Sequence, residues 1–187
     1  MGRAEMTPRA RVLASLNHQE PDRVPIALGQ ATGDGITAPA YRALLDHLGL
    51  GGRPVQVKDT RAQTARVDED VLRRFRVDFR GIGLSAPDGW QDRWLDDRTV
   101  QDEWGVVRTR PPDSHYFDLC RSPFADDPTR SAIERYPWPD PTNPGRYRGL
   151  REKARRLRRE TEYAVVLDVN CAFFLRCCEL RGWENFY

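Results

Sequence analysis

The sequence predicts an α/β fold with parallel strands, on three observations. Residues 163–169 read YAVVLDV, a continuous apolar run of the kind found in parallel strands buried on both faces. Shorter apolar runs at 24–28 and 77–84 alternate along the chain with segments whose apolar residues recur at helical spacing. Between 87 and 123 the texture changes. Trp90, Trp94, Trp104 and Tyr116 alternate with charged residues, and DG at 88–89 and DD at 96–97 mark turns, so this stretch reads as a β-hairpin insertion.

Taken in order, Thr7 before Pro8 is an N-cap and first-turn signal, and Val12, Leu13 and Leu16 complete a short amphipathic helix over 8–18. Pro21 and Pro25 break it and lead into an expected buried strand at 24–28, followed by the loop GQATGDG. Thr37-Ala-Pro39 opens a second helix carrying Tyr41, Leu44, Leu45 and Leu48 on one face, closed by Gly49 and Gly51. A brief strand is expected at 54–58, a helix over about 60–75 with Val67, Val71 and Leu72 inward, and a strand at 77–84. In the hairpin region Trp90, Trp94 and Trp104 are expected to form a small core of their own. Thr129 caps a short helix reaching Tyr136, and Pro137, Pro139, Pro141 and Pro144 form an extended connector. The segment 145–160 is a strongly basic amphipathic helix, 163–169 is the best strand, and 171–180 is helical again.

A length of 187 residues, 39% hydrophobic and 31% charged, suits a packed domain rather than a disordered chain. The formal net charge is only +2, which gives no whole-protein field to attract nucleic acid or an anionic membrane. The basic side is almost all arginine, with lysine only at 58 and 153, a compositional bias. The basic stretch RYRGLREKARRLRR has Leu150, Ala154 and Leu157 on one face and no interleaved stacking aromatics, so it reads as a solvated helix and not a nucleic-acid site. No apolar run approaches the ~20 residues of a membrane span. The opening MGRAEMTPRAR lacks a signal-like apolar region. Cysteines at 120, 171, 177 and 178 have no Cys-x-x-Cys spacing, so a disulfide framework is not expected and the expected compartment is the cytoplasm.

Five segments in order carry a family resemblance: MTPRARVLASLNHQEPDRVPIALG (6–29), DEDVLRRFRVDFRGI (68–82), QDEWGVV (101–107), ERYPWPDPTNPGRYRGLREKA (134–154) and YAVVLDVNCAFFLRCCELRGWENF (163–186). Together they resemble the uroporphyrinogen decarboxylase superfamily. That resemblance implies a (β/α)8 TIM barrel. Such barrels typically need ~250 residues. The expectation is therefore the N-terminal portion of one barrel domain spanning 1–187, with core strands at 24–28, 77–84 and 163–169, the hairpin insertion at about 87–123, and the C-terminal half absent.

The resemblance also implies chemistry. Decarboxylases of this superfamily carry two carboxylate-binding arginines after the first strand, where this chain reads LGQATG (28–33); Gln30 and Ala31 match, and the arginines do not. The family's essential aspartate falls near Gly83-Leu84-Ser85, where there is no carboxylate, and a family tyrosine falls near Cys178. These departures favour the methyltransferase branch, which moves a methyl group from a corrinoid or other methylated small molecule to a thiol-type acceptor. The alternatives are decarboxylation in tetrapyrrole biosynthesis and a non-catalytic truncated barrel. Zinc and a corrinoid are implied for the full-length protein. The family's His-x-Cys and later Cys have no counterpart around His18, His47 or His115, so no metal ligand is assigned in this chain, nor any catalytic residue, and the 187 residues alone are expected to be inactive. Cys171 and Cys178 are expected as buried small hydrophobes. The candidate substrate-binding residues are Gln30 and Asp34 in the first loop, Asp168 and Asn170 at the end of the best strand, and His115 in SHYFDL. The partners implied are a small-molecule substrate, a corrinoid protein and, through open strand edges, further copies of the chain; nucleic acid and membrane are not among them.

Overall fold

The computed structural model describes residues 5–126, 128–169 and 172–187, which divide into two compact units. Among the described residues the first comprises 5–59, 64–84 and 147–169; the second comprises 60–63, 85–126, 128–146 and 172–187.

In the first unit, helix α1 (Pro8–Leu16) starts where the sequence indicates, with the Thr7 hydroxyl accepting from Ala10 N at 3.2 Å. Helix α2 (Ala38–His47) buries Tyr41 and Leu45. Strand β1 (Val57–Asp59) pairs antiparallel with β2 (Thr64–Ala65), and α3 (Glu69–Arg74) follows. Tyr41, Leu45, Ala65, Val67, Val71, Leu72 and Val77 form one core cluster, with Leu28, Ile36, Leu44 and Leu48 packed on it. The Tyr41 hydroxyl stays satisfied in this core: it donates to Asp68 Oδ2 at 2.8 Å and accepts from Asp68 N at 2.9 Å. Burial pushes that phenol up to about 12. Strand β3 (Phe79–Gly83) leads out of the unit.

The second unit contains a four-stranded antiparallel sheet in chain order: β4 (Arg93–Trp94), β5 (Thr99–Gln101), β6 (Val107–Thr109) and β7 (Asp118–Arg121). Val100 and Val107 of these strands are buried, as are Val106 and Phe117. Helix α4 (Arg130–Glu134) is capped by the Thr129 hydroxyl. The first unit resumes with α5 (Leu150–Glu160) and β8 (Ala164–Asp168). Helices α6 (Phe173–Arg181) and α7 (Trp183–Phe186) belong to the second.

The expected portion of a TIM barrel does not form. Among the described residues the strands make three separate sheets of two, two and four strands, and only β3 with β8 is parallel, paired from Phe79↔Ala164 to Gly83↔Asp168. The run at 24–28 is not a strand. Pro25 has no N–H, Asp78 N donates to Ile26 O at 2.9 Å, and Ile26 N turns to the Asp78 side chain at 2.8 Å instead of a neighbouring backbone. Val24 is 79% exposed, so this apolar run is not a buried core strand either.

Three further expectations change. Residues 60–75 are not one helix: β2 occupies part of the span, and the helix covers only six residues. Strand β8 is parallel but not buried on both faces, with Leu167 49% exposed. The tryptophans of the hairpin region share no core. Trp94 packs edge-on against Phe117, whereas Trp104 meets Trp138 in a cluster with Tyr136 and Phe124.

What anchors 24–28 is charge. Arg11 of α1 is buried; its Nε and Nη2 reach Asp22 at 2.6 and 2.8 Å, and its Nη1 reaches Asp78 at 2.5 Å. Arg23 adds two bonds to the same Asp78 carboxylate, at 2.8 and 2.9 Å. The stretch that breaks α1 thus closes an ion network with the residue just before β3.

Candidate functional site

Ligands of open α/β sheets bind beyond the carboxyl ends of parallel strands. In the first unit that edge lies at Gly83 of β3 and Asp168 of β8, which are register partners. The loop after 24–28 reaches it. Gly81 has no room for a side chain, because a Cβ there would sit 1.9 Å from Gln30 O. This close approach lets Gln30 Oε1 accept from Gly81 N at 2.9 Å while its Nε2 donates to Leu28 O at 3.1 Å. Gln30 is therefore a brace between the loop and β3.

Asp34 is also held locally. Its Oδ1 accepts from Ala31 N at 2.8 Å and its carbonyl from Gly29 N at 2.7 Å, closing a 3-10 turn over Thr32–Asp34. That turn presents Thr32. The Thr32 hydroxyl lies 2.9 Å from both Asp168 carboxylate oxygens. Lys58 approaches the same carboxylate, with Nζ 3.9 Å from Oδ2. Lys58 sits at a bulge: the β1–β2 register slips between Val57 and Asp59, leaving it as the extra residue. Bulges commonly re-aim one side chain in this way.

Desolvation, and then the nearby charges of Arg66, Arg156 and Lys58, hold the Lys153 ammonium below its ordinary value. Chemically, the arrangement offers a hydroxyl, a carboxylate and the Lys58 ammonium at one strand edge, suited to a small polar ligand.

Of the five candidates, the structure brings Gln30, Asp34 and Asp168 to this edge. Asn170 lies outside the described residues. His115 belongs to the second unit, exposed in the loop between β6 and β7. Thr32, Lys58 and Lys153 were not singled out from the sequence. The one signal for the lysines was their rarity, two among 30 basic residues.

Zinc finds no donor set here: among the described residues no group of three His, Cys, Asp or Glu side chains gathers to hold a metal ion. Among the same residues no helix is long and apolar enough to cross a membrane. Neither a family model, nor a curated protein, nor a solved structure matches the chain.

Proposed function

We propose that the chain supplies the substrate-holding edge of a cytoplasmic methyl-transfer enzyme related to the uroporphyrinogen decarboxylase superfamily, with a thiol as acceptor. The observation that carries this reading is the Thr32–Asp168–Lys58 cluster at the carboxyl ends of β3 and β8. Cations beside a thiol favour its thiolate, the nucleophilic form. The thiolate attacks the methyl carbon; a sulfur–carbon bond forms as the bond from methyl to its donor breaks, and the electron pair leaves with the donor. Asp168, held by Thr32, orients the acceptor's polar end. The five-segment resemblance supports the assignment, as does the absence of the decarboxylases' paired arginines at 28–33. Free thiols at Cys120, Cys177 and Cys178 are in keeping with the cytoplasm.

The test is methyl transfer from a methylated corrinoid to a simple alkanethiol by the purified full-length protein, followed spectroscopically. Asp168→Ala should lower the rate about tenfold or more. Lys58→Met should move the rate's dependence on thiol ionisation to higher pH, because a cation that favours the thiolate has gone. No methyl transfer by the folded protein, with release of carbon dioxide from uroporphyrinogen instead, would overturn the proposal in favour of decarboxylation.

A further inference from the structure

The first unit holds a second polar feature, lined by none of the residues of the Asp168 cluster. A cavity of about 210 Å³ is bounded by Arg11, Arg23, Arg73 and Arg76, with Met6, Val77 and Tyr163 among the other walls. Arg11 engages all three of its nitrogens, with Asp22, Asp78 and the Met6 carbonyl. The other three differ. Arg23 uses its terminal nitrogens on Asp78 and on the Val24 and Arg76 carbonyls, but its Nε is buried and has no hydrogen-bond partner. A buried donor left unpaired is uncommon. Arg73 donates Nε to Glu69 at 2.9 Å, and Arg76 donates one amino group to Glu5. Each guanidinium carries five N–H donors, so these contacts leave donors over.

Arg76 is also strained. Its φ is +53°, a left-handed conformation that favours glycine, at the turn between α3 and β3. Local folding alone would favour a glycine there, and the arginine instead brings a charge to the cavity rim. Strain of this kind concentrates at functional positions. The Glu5 carboxylate already resting on Arg76 shows that the rim accepts an oxyanion.

We propose that this cavity binds the phosphate or carboxylate group of a small anionic molecule, held by Arg73 and Arg76, with Glu5 as the internal carboxylate it displaces. The site does not depend on the methyl-transfer reading. The planar guanidinium suits such groups because it can donate two parallel hydrogen bonds to one oxyanion. The cavity is below the ~300–1,000 Å³ of drug-sized ligand sites, which limits the occupant to a small metabolite.

The test is titration calorimetry and thermal shift on the full chain with inorganic phosphate and, separately, succinate, each against chloride at matched ionic strength. Saturable binding of either oxyanion supports the site, and the tighter of the two identifies the class. Arg73 and Arg76 are exposed, with side chains 68% and 62% accessible, so Arg73→Ala and Arg76→Gly should leave the fold intact. Arg76→Gly should melt no lower than the parent, since glycine relieves the left-handed strain. Each should weaken binding about tenfold, the usual loss for one charged hydrogen-bonding group. Glu5→Gln should tighten it, because the competing carboxylate has gone. Equal stabilisation by chloride, or binding unchanged in Arg73→Ala and Arg76→Gly, would overturn the proposal.

Discussion

Asp78 is fully buried, and its carboxylate accepts from Arg11, from Arg23 twice and from Ile26 N. Removing one partner of a buried ion pair leaves the other charge desolvated and uncompensated, so the cost is set by the stranded arginine. Asp78→Ala should lower stability by about 3–5 kcal/mol, read as a fall in urea midpoint at unchanged slope. A loss under about 1 kcal/mol would mean that water reaches Arg11 once the carboxylate has gone. Asp22 adds a pH dependence. The hydrogen bond from Arg11 holds its carboxyl well below the usual carboxylate range. The native state therefore takes up this proton at lower pH than the unfolded chain, and the stabilisation is present above the unfolded value and lost as pH falls below about 4. Urea midpoints measured from pH 6 to pH 2 should fall through that window, and Asp22→Asn should flatten the fall. An unchanged slope in the variant would assign the acid sensitivity to other carboxylates.

Strand β3 shows how one missing side chain positions a loop. The Gln30 backbone crosses Gly81 so closely that a methyl group there would overlap a carbonyl oxygen, whereas at Gly83, two residues on, the nearest atom would be 3.5 Å away. Gly81→Ala should destabilise by about 1–3 kcal/mol, as overpacking does, and should displace the 28–34 loop that carries Thr32. Gly83→Ala should be near neutral in the same thermal melts. If both behave alike, the close approach does not hold the loop. The helices follow simpler rules: α1 and α4 begin at the threonine caps visible in the sequence, and α2 buries the tyrosine and leucine face that its periodicity marks.

At the scale of the molecule, the parallel pair β3–β8 ends on an open edge. Among the described residues no further strand pairs with β8, and Leu167 and Val169 stand about half exposed beside it. Unpaired edges with apolar side chains recruit other strands. Light scattering should show association that grows with concentration, and Leu167→Lys should reduce it by placing a charge on the edge. A monodisperse monomer at high concentration would remove this expectation.

The sequence by itself determined the threonine-capped starts of α1, α2 and α4, the antiparallel character of the 87–123 region and the parallel pairing direction implied by YAVVLDV. These are local signals: caps, turn residues and periodicity act over a few positions. The tertiary structure alone decided that 24–28 would be tied to Asp78 without joining a ladder. It also decided that Gln30 and Asp34 would brace their loop while Thr32 and Lys58 faced Asp168, and that Arg11, Arg23, Asp22 and Asp78 would form one buried network. Those outcomes depend on pairings between residues up to 136 positions apart. A charged side chain gives no advance sign of whether it will face water or a partner. An arginine in RVLASL reads as a surface residue until a distant aspartate, itself removed from solvent, makes burial the lower-energy choice.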